Sequence, residues 1–223
     1  MRIYSYIKNN LNLTKSEVMA LDKEERILVN GKKENLSRNI RPGEIVTVDG
    51  IEVKNNDFRY YVYNKPTGVI CTNNRNVKGN IIDALGLDLR IYSVGRLDKD
   101  THGLLFLTND NKFTHYILES KDVEKEYIGV VKNKIDERFI KALEESIMIN
   151  GKMTIPAVAK KIDDYTFSVI LRDGRYHEVR KLVINGDNIL LDLKRIRIGK
   201  YILDEERIQN GDIEEIKNLK EMI

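Results

Sequence analysis

One cysteine among 223 residues leaves Cys71 with no intrachain disulfide partner, and there is no Cys-x-x-Cys pair to hold zinc. No apolar run is long enough to cross a bilayer. The opening stretch MRIYSYIKNNLNLTKSE has neither the hydrophobic segment nor the small-residue cleavage site of a secretory signal. These absences point to a cytoplasmic protein with no membrane partner. Cys71 sits in the apolar run Gly68-Val69-Ile70-Cys71 and reads as a small buried hydrophobe. There is no Gly-x-Gly-x-x-Gly, no P-loop and no His-Glu-x-x-His, so nucleotide-dependent, redox and zinc chemistry have no support. One stretch imitates a calcium loop, with Asp98, Asp100 and His102 before Gly103. The fifth and twelfth positions, His102 and Asn109, lack the ligands such a loop needs. Internal repeats and low-complexity segments are also missing.

Excess charge is small, +3 overall, and 41% hydrophobic with 33% charged residues suits a globular chain rather than a disordered one. The distribution says more. Between residues 171 and 200 eight Lys and Arg stand against four acids, enough for a local surface that binds phosphate. On charge alone the run reads rather as the solvated faces of ordinary elements.

The pattern divides the chain in two. In a first unit, 1–54, residues 3–10 and 14–21 have helical spacing, and Thr14 and Glu17 stand as a capping box. Strand-like runs follow at 26–30 and 45–48, with turn signals at Asn30-Gly31, Pro42-Gly43 and Asp49-Gly50. The polar run 54–57 reads as a linker. In a second unit, 58–223, strands are expected at 60–64, 68–72, 104–108, 127–131, 166–171 and 189–198. Helices are expected at 81–85, 111–119, 136–145 and 176–183. Strands outnumber helices without alternating regularly with them, which favours an α+β fold with a mixed or antiparallel sheet, preceded by a small α+β domain.

Chemistry concentrates at residues 94–110, Val-Gly-Arg-Leu-Asp-Lys-Asp-Thr-His-Gly-Leu-Leu-Phe-Leu-Thr-Asn-Asp. This is a loop carrying Arg96, Asp98, Asp100 and Thr101, anchored in an apolar strand, and reactive groups on a loop held by a rigid strand are a common site design. Isolated charges in such a loop would be an ordinary turn. The whole segment resembles the signature of the pseudouridine synthases, in the branch that modifies ribosomal RNA and includes the small-subunit enzyme. Gly95, Arg96, Leu97, Asp98, Thr101, Gly103, Leu104, Leu105, Leu107, Thr108, Asn109 and Asp110 all fit it in register.

Further segments match in the family's order: Asn64-Lys65-Pro66-Thr67-Gly68-Val69, Glu124-Lys125-Glu126-Tyr127, Asp173-Gly174-Arg175-Tyr176-His177-Glu178-Val179-Arg180-Lys181-Leu182, and Lys194-Arg195-Ile196-Arg197-Ile198-Gly199. The first unit resembles the alpha-L RNA-binding domain at Leu28-Val29-Asn30-Gly31-Lys32 and Arg41-Pro42-Gly43-Glu44. Asn111 stands where a glycine is usual and Lys200 where a proline is common. Residues 14–25 are less basic than that domain's usual sequence.

The resemblance implies a catalytic domain over 58–223 that turns a uridine of structured RNA, ribosomal RNA or an assembly intermediate, into pseudouridine, as a monomer and without a cofactor. It assigns catalysis to Asp98, an active-site tyrosine to Tyr127 and the aspartate's basic partner to Arg180. RNA contacts are expected of Lys65, Arg96, Arg175, His177 and Lys181. Asp98 is suited to attack the anomeric carbon, to stabilise positive charge there, or to remove a ribose proton, and the sequence leaves all three open. The alternatives are a non-catalytic RNA-binding ribosome assembly factor, and a nucleoside glycosidase using Asp98 and Asp100.

Overall fold

Thr14 and Glu17 close the capping box that their spacing predicts: the Glu17 carboxylate accepts the Thr14 backbone N–H at 2.6 Å, and the Thr14 hydroxyl accepts that of Glu17 at 3.3 Å. The computed structural model in which this is seen describes residues 1–11, 13–54, 58–86 and 91–223. The chain divides into two units, Met1–Phe58 and Arg59–Ile223. Of the expected linker, residues 55–57 lie outside the described residues.

In the first unit α1 (Ile3–Asn10) and α2 (Lys15–Lys23) precede β1 (Ile27–Val29), β2 (Val46–Val48) and β3 (Ile51–Glu52), an antiparallel sheet in chain order. Ile3 and Ile7 lie one turn apart on α1. With Val18 they pack on Ile27, Val29, Val46 and Val48, the inward phase of the strands. Helix α2 runs two residues past the expected 14–21, to Lys23.

The second unit contains β4 (Tyr60–Lys65), α3 (Ile81–Leu85), β5 (Tyr92–Ser93), β6 (His102–Thr108), α4 (Asn111–Glu119), β7 (Lys125–Val131) and α5 (Glu137–Glu144). A short hairpin, β8 (Met148–Ile149) and β9 (Lys152–Met153), leads to β10 (Val158–Lys161), β11 (Thr166–Leu171) and α6 (Glu178–Asn185). The chain finishes with β12 (Leu190–Ile198), β13 (Tyr201–Ile202), β14 (Ile213–Glu215) and a 3₁₀ turn. The main sheet runs β10-β11-β7-β12-β6-β4-β14, with β5 beside β6 and β13 beside β12. Among the described residues every pairing in this sheet is antiparallel except β6 with β12. The fold is therefore α+β with a mixed sheet, as expected.

Strands β4 and β6 are buried on both faces. Tyr61, Tyr63, Leu105 and Leu107 enter a core with residues of α3, α5 and α6. Tyr60, Val62, Leu104 and Phe106 enter the opposite one, with Phe113 and Ile117 of α4 and the C-terminal Ile208, Ile216 and Leu219. Two covered faces explain why Leu104–Leu107 reads as an unbroken apolar run instead of an alternation. The Thr-Asn-Asp tail closes this element. Asp110, almost fully buried, caps α4 by accepting the N–H groups of Lys112 and Phe113, and it also accepts the Tyr60 hydroxyl at 2.8 Å.

Two local expectations are corrected. Residues 68–72 form no strand, because Gly68 takes φ +89° and turns the chain; only Ile70 makes an isolated bridge, to Asn80. The helix expected at 176–183 begins at Glu178, because His177 sits before it at φ +55°. Among the described residues no helix is long and apolar enough to cross a membrane.

Gly103 marks a close approach of backbone to backbone in the sheet. A Cβ there would lie 2.3 Å from the Arg195 carbonyl oxygen and 3.0 Å from its nitrogen. Gly211 shares the conformation, φ +95° against +97°, but has open space around it. Gly211→Ala should therefore show only the strain of a forced positive φ, roughly 1–3 kcal/mol. Gly103→Ala should be destabilised well beyond that in chemical denaturation, since backbone stands where the methyl would go. Equal losses in the two variants would contradict this account of the seam.

Candidate active site

Strands β6 and β12 run parallel, with Lys194 opposite His102 and Arg195 opposite Gly103. Parallel neighbours begin at the same edge of a sheet. The loop entering β6 and the helix preceding β12 are therefore brought together, although Asp98 and Arg180 stand 82 residues apart. Arg180 Nε donates to Asp98 Oδ2 at 3.1 Å, and its Nη2 donates to Asp100 Oδ1 at 2.7 Å and to Thr101 Oγ1 at 3.3 Å. One planar guanidinium thus clamps three residues of the loop. The other carboxylate oxygen, Asp98 Oδ1, meets His177 Nε2 at 3.2 Å. The left-handed backbone at His177 is uncommon for a non-glycine residue, and such strain gathers at functional sites.

The loop is also held from beneath. The Thr101 N–H donates to the Asp98 carbonyl at 3.1 Å, and the Gly68 N–H to the Lys99 carbonyl at 2.7 Å. Lys65, expected to contact RNA, is fully buried, and its ammonium donates to the Pro66 carbonyl at 3.0 Å. It lies 3.5 Å from the Lys99 carbonyl as well, so the structure gives Lys65 the support of the loop and no exposed surface for RNA. Burial pushes the Lys65 ammonium below its ordinary range and the Cys71 thiol above its own.

Asp98, Arg180 and Tyr127 line one cavity of 430 Å³ together with Arg96, Arg175 and His177. Tyr127 comes from β7, paired with Arg195 of β12, and its ring packs into the apolar core. Tyr176 stacks on His177 with centroids 3.8 Å apart, and Lys181 lies over the Tyr176 ring at 5.5 Å. Arg175 is fixed on Asp173 at 2.8 Å and on the Lys152 carbonyl. Burial raises the Glu178 carboxyl above its usual range, and it accepts the Arg175 N–H at 2.6 Å.

Two residues here were not assigned from sequence. Lys125 and Arg195 are both 5% exposed, and Arg195 donates from Nε to the Leu104 carbonyl at 2.7 Å. Its Nη1 lies 3.5 Å from the Tyr127 hydroxyl. A signal existed in both cases: each cation falls in the buried phase of its strand, Lys125 in step with Tyr127 and Arg195 in step with Leu193. Burial first, and the nearby Arg195 charge second, push the Lys125 ammonium from 10.5 down to about 8.

The RNA pseudouridylate synthase family matches residues 59–185, which include Asp98, Tyr127 and Arg180. The ribosomal small subunit pseudouridine synthase A of Haemophilus influenzae is 30% identical over 219 residues, covering 95% of this chain and 94% of that protein. The dual-specificity RNA pseudouridine synthase RluF of Escherichia coli K12 is 30% identical over 202 residues, covering 89% and 70%. A crystal structure of a pseudouridylate synthase superposes with a TM-score of 0.69 at 27% identity, covering 99% of this chain and 97% of that one.

The depressed Lys125 sets a pH dependence of stability. Between about 8 and 10.5 the unfolded chain holds the extra proton, so stability rises with pH across that window; below it the penalty is complete. The shift corresponds to a penalty on the order of 3 kcal/mol at neutral pH. Lys125→Met should therefore be more stable than the wild type at pH 7, with a flattened rise above pH 8, as read by denaturation across pH. An unchanged rise would show that another group produces it.

Proposed function

This chain belongs to the RNA pseudouridylate synthase family and isomerises uridine in RNA to pseudouridine; on that premise we propose that its substrate is ribosomal RNA and that Asp98 carries the chemistry. The observation that supports this best is the meeting of Asp98, Arg180 and Tyr127, from three separate segments, at one cavity. The two relatives described above include one named for the small ribosomal subunit. The reaction breaks the bond from the sugar to N1 of uracil and forms one to a ring carbon, and the proton displaced from that carbon is matched by one gained at N1. No electrons or groups are exchanged with a second molecule.

In this reading Arg180 aims Asp98, and Asp98 acts at the ribose as nucleophile, charge stabiliser or base. Tyr127 offers a flat face for a base taken out of its stack, with a hydroxyl at its far end. Arg96, Arg175, His177 and Lys181 hold RNA around the cavity. The first unit adds RNA affinity. Its alpha-L-like segments form tight turns that support this reading: Asn30 accepts the Ile45 N–H at 2.9 Å, and Glu44 accepts the Arg41 N–H at 2.8 Å while pairing with Arg38. A buried free thiol at Cys71 suits the reducing cytoplasm.

The test is a map of pseudouridines in ribosomal RNA from cells with and without the protein. At least one position should lose its pseudouridine in the deletion, return with the wild type, and stay unmodified with Asp98→Asn. An unchanged ribosomal map would overturn the substrate, and restoration by a folded Asp98→Asn protein would overturn the role of Asp98.

Arg180 and its neighbour Lys181 separate catalysis from general charge. The Arg180–Asp98 pair is 24% and 30% exposed, so removing Arg180 should cost less stability than the roughly 3–5 kcal/mol of a fully buried pair. The main deficit of Arg180→Ala should appear in turnover, while Lys181→Ala weakens RNA binding and leaves turnover near the wild-type value. Similar turnover in the two variants would remove Arg180 from the mechanism.

A further inference from the structure

The mechanism above leaves two buried cations without employment. Among the described residues the Lys125 ammonium and Nη2 of Arg195 have no hydrogen-bond partner, although each residue is 95% shielded from solvent. Both line a second cavity, of 270 Å³, which shares Gly95, Arg96, Tyr127 and Gly174 with the catalytic one and so lies directly behind Tyr127. Asp173 lines this cavity too and, with Glu178, acts on Lys125 through its charge, but both carboxylates are bonded elsewhere. Asp173 pairs with Arg175 at 2.8 Å and accepts the Ile155 N–H at 3.3 Å, and Glu178 accepts the Arg175 N–H.

We propose that this second cavity binds a phosphate group of the RNA backbone beside the target uridine, held by Lys125 Nζ and Arg195 Nη2 with Arg96 at the rim. The inference rests on the RNA-substrate reading and adds to it how the polymer is recognised. Unpaired buried charges are costly, and two of one sign in one cavity are costlier still, so an anion is the ligand that relieves both. A phosphate presents acceptor oxygens on several sides and can meet a lysine point charge and one edge of a guanidinium together. A neutral uracil carbonyl offers only one acceptor and no charge. The cavity is little more than half the volume of its neighbour, which suits a single phosphate behind a nucleoside seated on Tyr127. The depressed Lys125 ammonium agrees with a site built for an anion that only the substrate supplies.

The arrangement also links binding to chemistry. Arg195 is fixed by Nε to the sheet and reaches the Tyr127 hydroxyl by Nη1. A phosphate on Nη2 completes the guanidinium's partners and stiffens the support of Tyr127. A nucleotide within a chain would thereby be favoured over a free nucleoside.

The full chain can be titrated with uridine, uridine 3′-monophosphate, uridine 5′-monophosphate and inorganic phosphate, followed by NMR. At least one monophosphate should bind the wild type about tenfold tighter than uridine, the worth of a charge-assisted hydrogen bond. Lys125→Met should bring that monophosphate level with uridine while leaving uridine affinity in place. Inorganic phosphate should compete with the monophosphate and not with uridine. If neither monophosphate outbinds uridine on the wild type, the site is refuted whether or not the variant folds. If Lys125→Met keeps the full advantage, Lys125 is not its source and the proposal falls. If inorganic phosphate binds but the monophosphates gain nothing, the cavity serves a free anion and not RNA. These results are independent of the ribosomal map, which tests the substrate alone.

Discussion

The contact on which this structure turns is the close parallel approach of Gly103 on β6 to Arg195 on β12. It is the seam of the main sheet, the one place among the described residues where its strands run parallel. Because the seam is parallel, what precedes β6 and what precedes β12 emerge at the same edge, and Asp98 finds Arg180 there. Because β7 pairs antiparallel with β12 in a register that sets Tyr127 opposite Arg195, the tyrosine lies level with the seam. A side chain at residue 103 would push the strands apart, so glycine in the motif reads as a packing requirement and not as loop flexibility.

Much of this was legible in the sequence, for reasons that can be named. The capping box at Thr14, the run Leu104–Leu107 and the helical spacing of 111–119 are local signals, each satisfied within a few residues. The loop 94–110 was legible because it holds many requirements at once: Asp98 and Thr101 for the clamp, Gly103 for the seam, Leu104 to Leu107 for two cores, and Asp110 for the cap of α4. The short strands were not. β5, β13 and β14 are two or three residues long and exist by pairing with longer neighbours, so no period marks them. The burial of Lys65 was not legible, because nothing in Asn64-Lys65-Pro66 marks that strand as covered on both faces. Only the tertiary placement of β4, with all six residues buried, shows its amine folded under the loop.

The same logic explains why Lys125 and Arg195 went unassigned. Charge counts treat every cation alike, and residues 171–200 look like a basic surface. Yet Arg195 belongs to the interior, and Arg197 is engaged by Glu124 and Glu126. Part of the apparent phosphate-binding face is thus consumed inside the protein, and what remains near Asp98 is a smaller, better oriented set.

Around Asp98 the protein satisfies charge strictly: Arg180 is bonded to three residues of the loop, and both carboxylate oxygens of Asp98 have partners. Behind Tyr127 it does the reverse and leaves two buried cations open. A stable fold alone would favour an apolar residue at position 125, since replacing buried charge by packed hydrophobe is often stabilising. The contrast between the two sides of Tyr127 assigns the two halves of the site different work. The front fixes a carboxylate before substrate arrives, and the back holds charge that a phosphate of the substrate would meet. Stability is lost there because, once an anion enters, binding recovers it in the complex, where the enzyme uses it.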